Sequence, residues 1–134
     1  MSLNASISAI GLRWLRIAVV YLMVGITLGI YMGAAEVFTL SPVHAHINLV
    51  GFVVAALAGI VYCLSPAAGA SRLGSAHFWL HQIGSPLMLV SLAFLLGNGE
   101  KGAIPTLVVG EFLVAGGVVC FFLNLLLNIK PSDG

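Results

Sequence analysis

Residues Ser41 to Phe52 read S-P-V-H-A-H-I-N-L-V-G-F. Two histidines, one residue apart, stand at the head of an apolar run that continues to Leu64, long enough to cross a bilayer, which takes roughly 20 residues. Ser41 is a natural N-cap and Pro42 fits the first helical position, so a membrane helix is expected over about 42–64. Imidazoles are costly at membrane depth and normally face a protein interior, a cavity or a cofactor. The rest of the chain has to explain why two of them are here.

Of the 134 residues, 60% are hydrophobic and only 7% are charged, against roughly 25% charged in soluble domains. Mean hydropathy is +1.14. The chain is read as an all-α integral membrane protein, one four-helix transmembrane domain over residues 1–134. Further spans are expected at about 11–34, 76–97 and 104–129. Net charge is +1 with no basic or acidic block, so nucleic acid is not an expected partner and the bilayer is. Arg13 and Arg16 precede an apolar stretch longer than a signal-peptide core, so the first span is expected to be retained. Cys63 and Cys120 fall inside apolar runs, where a thiol behaves as a small hydrophobe rather than a disulfide partner.

Arg13, Arg16, Arg72 and Lys130 flank one set of span ends, whereas the other two connections hold Glu36, and Glu100 with Lys101. The positive-inside rule then puts both termini in the cytoplasm, His44 and His46 near the outer face, and His77 and His81 near the inner one. Gly25, Gly29 and Gly33 on the first span, and Gly51, Ala55, Ala58 and Gly59 on the second, let backbones or a flat cofactor approach closely.

On a helix turning about 100° per residue, His44 and His46 point some 200° apart. They do not chelate one ion together, but each can serve a cofactor on its own side of the helix. Neutral imidazole is a usual axial ligand of haem iron, and a dry interhelical pocket suits a porphyrin, so both are candidate haem ligands. His77 and His81, at i and i+4, share a face and can chelate one copper or zinc ion. Each pair is expected within about 4–8 Å of its own membrane face, leaving roughly 15–20 Å between them. Glu111 and Asn48, at nearly the depth of His46, are candidates to orient an imidazole.

The stretches V-H-A-H-I-N-L-V-G-F-V, G-I-V-Y-C-L-S-P and H-F-W-L-H-Q-I-G-S-P-L-M, within residues 40–97, resemble short bacterial membrane proteins related to subunit I of haem-copper oxidases and nitric oxide reductases. That subunit is twelve helices in three arcs of four, and one helix carries histidine-x-histidine whose imidazoles ligate different haems. The resemblance implies one arc, a homotrimer in the bacterial inner membrane, and His44 of one copy with His46 of its neighbour on one iron. It implies electron transfer, with a redox partner, or binding of nitric oxide or oxygen. His77 and His81 do not map onto the family's copper ligands, and its cross-linked histidine-tyrosine motif is not visible. A full proton-pumping oxidase is therefore not expected. The competing readings are a copper- or zinc-binding membrane protein and a non-catalytic assembly partner of a respiratory complex.

Overall fold

The computed structural model describes residues 8–129. Lys130, one of the charges used for orientation, lies outside them. The described residues form four helices long and apolar enough to cross a membrane: α1 (Ala9–Ala35), α2 (Ser41–Leu64), α3 (Arg72–Asn98) and α4 (Ile104–Asn128). A single helical turn, Pro66–Gly69, joins α2 to α3, and a 3₁₀ turn, Lys101–Ala103, leads into α4.

The helix ends follow local chemistry. Ser8 accepts a hydrogen bond from the Gly11 amide at the start of α1, and Ser71 accepts one from the Gly74 amide at the start of α3. The Ser71 cap starts α3 at Arg72, four residues before the expected 76. The cap of α2 is also displaced by one residue. Ser41 is already helical, Leu40 is the N-cap, and the Ser41 hydroxyl donates to the Phe38 carbonyl at 2.7 Å. α1 ends with Glu36 and α3 with Gly99, both in the left-handed region at φ 54° and 68°.

α2 is not a uniform α-helix: Ile47–Val54 is π-helical. Its buried residues explain the need. Val43, Ile47, Gly51 and Ala55 recur every four residues, whereas an α-helix of 3.6 residues per turn would rotate such a stripe by about 40° at each step. The wider turn of the π segment keeps the stripe on one side.

α1 packs along α2, and α3 along α4 in the most extensive interface of the fold. Gly84 and Gly110 make that second contact close; a Cβ on Gly110 would lie 2.5 Å from the Met88 amide nitrogen. At the end of the bundle that carries the start of α1, all four helices converge on Trp14, Tyr62, Ala58 and Ala68, with Phe78 and Phe121 against them. Toward the other end α1 stands away from α3. An apolar cleft of about 890 Å³ opens there, lined by Tyr21, Leu28, Tyr31, Val43, Leu89 and Ala93. The outward faces are predominantly apolar, with Ile30, Leu57, Phe112 and Leu126 among the exposed side chains. Lipid is the solvent such faces require.

Candidate functional site

The two imidazoles of the opening stretch leave α2 on different sides. His44 is half-buried and turns toward α1, where its Nδ1–H donates to the Gly25 carbonyl at 2.9 Å. Gly25 and Gly29 form the floor that admits it: a Cβ on Gly29 would lie 2.9 Å from Cε1 of His44, and one on Gly25 would lie 2.5 Å from Oδ1 of Asn48. Asn48, one turn on, donates from Nδ2 to the His44 carbonyl at 2.9 Å and lies 3.4 Å from both ring nitrogens. His46 is exposed on the outer surface of the bundle, and its Nδ1–H donates to the Pro42 carbonyl at 2.7 Å.

A carbonyl oxygen only accepts, so these contacts put the proton of each neutral ring on Nδ1. Nε2 is then the lone-pair nitrogen in both residues. A backbone carbonyl on one imidazole nitrogen is the usual way a ligating histidine is held with its other nitrogen toward a metal. Glu111 is exposed on α4, and among the described residues no hydrogen bond joins it to an imidazole. Asn48 is therefore the expected neighbour that contacts a histidine within the chain.

The second pair lies inside the bundle. His77 and His81 are both 0% exposed, with ring centroids 5.9 Å apart. Trp14 lies against both, at 4.6 Å from His77 and 5.2 Å from His81, and Phe121 stacks on His77 at 4.8 Å. The Tyr62 oxygen is 2.9 Å from Nδ1 of His77 and accepts a hydrogen bond from Nδ2 of Asn124 at 3.3 Å. Asn124 also donates to the Ala68 carbonyl and accepts from Ser71 and Asn128. A connected polar network thus runs from the α2–α3 turn to His77.

Beyond His77 the polar atoms lose their partners. Nε2 of His77, both ring nitrogens of His81, Nε1 of Trp14, Nε2 of Gln82 and the Ser85 hydroxyl are buried without a hydrogen bond. The Val50 backbone of the π segment approaches the His81 ring without reaching hydrogen-bond geometry. Native proteins leave few such groups unpaired, because each costs about 1–3 kcal/mol.

Because α3 starts at Arg72, His77 and His81 lie about 7.5 and 13.5 Å along it at 1.5 Å per residue. Both lie in the half of α3 nearer its start. Tyr62, Trp14, Asn124 and the π segment were not candidates from sequence reasoning. Small residues four apart, as at Gly51, Ala55 and Gly59, also recur on regular α-helices and do not mark the π segment. Nothing local marks Tyr62 or Asn124, which meet His77 only across the bundle. No known protein family, curated protein or solved structure matches the chain.

Proposed function

We propose that the protein binds haem b through His44 and His46 and serves electron transfer in a membrane. The observation that carries this reading is the matched state of the two rings: each gives Nδ1–H to a backbone carbonyl, at 2.9 and 2.7 Å, and keeps Nε2 as a lone-pair donor. The apolar surface around α2 supports it, since a porphyrin's faces bury well against such side chains. When bound, iron between two imidazoles supplies one-electron chemistry and keeps no open position for a gas.

The chain's own residues orient the ligands. Gly25 and Gly29 hold His44 against α1, Asn48 packs on its ring, and Pro42 fixes His46. Because the rings diverge, one chain does not offer both to one iron, and copies of the chain, three by the resemblance, supply the pair. Arg13, Arg16 and Arg72 at the ends of the spans support cytoplasmic termini, and the resemblance supports a bacterial inner membrane.

The test is the optical spectrum of detergent-purified protein, oxidised and reduced, with and without carbon monoxide. A sharp b-type reduced spectrum, indifferent to carbon monoxide and lost in both His44→Ala and His46→Ala, is the expected result. A carbon monoxide shift replaces electron transfer by gas binding at a single-histidine iron. A colourless protein after haem-supplemented expression refutes haem binding. A second reading, a metal ion at His77 and His81, is favoured by their unpartnered buried nitrogens.

A further inference from the structure

The interior site asks for something positively charged and small. His77 and His81 are wholly enclosed, yet three of their four ring nitrogens have no partner. In the tautomer that donates Nδ1–H to the Tyr62 oxygen at 2.9 Å, Nε2 of His77 presents its lone pair, as a ligating imidazole does. His81 contributes a second lone pair from either nitrogen. Two imidazoles on one ion, at metal–nitrogen distances of about 2.0 Å, have ring centroids roughly 6 Å apart when they approach from nearly opposite sides. The observed separation is 5.9 Å.

The choice of ion follows from what is missing around the pair. Among the described residues no three histidine, cysteine, aspartate or glutamate side chains come together. Zinc takes four ligands in structural sites, and a divalent charge without a carboxylate or thiolate is severely penalised in an apolar interior. Copper(I) carries one charge, has a filled d shell with no demand for a third or fourth ligand, and accepts imidazole. Trp14 lies against both rings, at 4.6 and 5.2 Å between centroids, and closes the pair off.

We infer that His77 and His81 form a buried two-coordinate copper(I) site, capped by Trp14 and oriented by Tyr62. This gives the second reading its ion and coordination, and it is independent of haem at the outer pair. Tyr62 is a positioning residue: its hydroxyl occupies Nδ1 of His77 and leaves Nε2 as the nitrogen for the ion, with the ring proton on Nδ1 once the ion is bound, and Asn124 holds Tyr62.

Copper(I), held reduced by ascorbate, is titrated into detergent-solubilised protein against a chromogenic copper(I) chelator, with zinc chloride titrated separately. The expected result is one copper per chain, unchanged in His44→Ala and His46→Ala and in Cys63→Ser with Cys120→Ser. Affinity is lost in His81→Phe, which keeps the volume filled, and falls about 10- to 100-fold in Tyr62→Phe. X-ray absorption of the copper form should show two nitrogen neighbours and no sulfur. Circular dichroism separates a lost site from a lost fold, and a variant that unfolds is replaced by His81→Gln. Wild-type protein that binds copper no better than His81→Phe, or binding that follows the cysteines, overturns the inference. Zinc bound more tightly than copper overturns it as well. Haem content is read on the same samples, so failure here is distinct from failure at His44 and His46.

Discussion

A Cβ on Gly29 would lie 2.9 Å from Cε1 of His44, so the ring's position depends on the absence of one carbon. Gly29→Val is expected to push the ring off the Gly25 carbonyl and, with haem bound as proposed, to reduce haem content at least about tenfold, since loss of the group that orients a ligating histidine has effects of that size. The measurement is the haem-to-protein ratio beside the helical circular dichroism signal, which should persist. Asn124 presents the same dependence in polar form. It is 1% exposed and ties Tyr62, Ala68, Ser71 and Asn128 together. Asn124→Ala is expected to destabilise the bundle by about 1–3 kcal/mol, through partners left unpaired in an interior without water. Denaturant titration of the detergent-solubilised chain reads the loss.

At the scale of the element, the C-terminus of α1 carries a removable strain. Glu36 sits at φ 54°, where a side chain costs about 1–2 kcal/mol and glycine costs little. Glu36→Gly is expected to raise the midpoint of thermal unfolding, and an unchanged or lower midpoint would show that the carboxylate makes a compensating contact. α2 carries its irregularity in the middle. The four-residue repeat of Val43, Ile47, Gly51 and Ala55 is visible in the sequence once the burial pattern is known. Read alone, it is masked by a run in which nearly every residue is apolar. Single-turn π-helical segments recur at functional sites, and this longer one begins one residue after His46 and brings Val50 to His81. Backbone amides of Leu49–Val54 are expected to exchange with deuterium faster than those of Ala55–Tyr62, because widened turns hold their hydrogen bonds less well.

At the scale of the whole molecule, the fold places both ends of the described chain on the side where Trp14, Tyr62, His77 and Asn124 converge. The orientation proposed for that side makes a direct prediction: green fluorescent protein fused to either end should fluoresce in bacterial cells, and alkaline phosphatase fused there should be inactive. The opposite outcome would reverse which histidine pair faces the cytoplasm. Packing is uneven across the molecule. The convergent end is closed by aromatic side chains, whereas α1 stands off α3 at the other and leaves the apolar cleft. The interior site is thus walled off, whereas His44 and His46 are not. His46, being exposed, depends on something beyond one chain to cover it.

The four spans were legible from residues alone, because runs of twenty apolar side chains have one stable fate in lipid and the prolines and serines between them set helix ends to within a few residues. The divergence of His44 from His46 was legible for the same local reason, a fixed angle per residue. What only tertiary structure decided was company: that His44 lies on glycines 19 and 15 residues earlier in the chain, that Glu111 faces outward, and that Tyr62, Trp14 and Asn124 close around His77. Those contacts join residues on different helices, and in a chain this uniformly apolar every helix face reads alike. Burial, hydrogen-bond pairing and the slip in α2 appear only once the helices have chosen their neighbours.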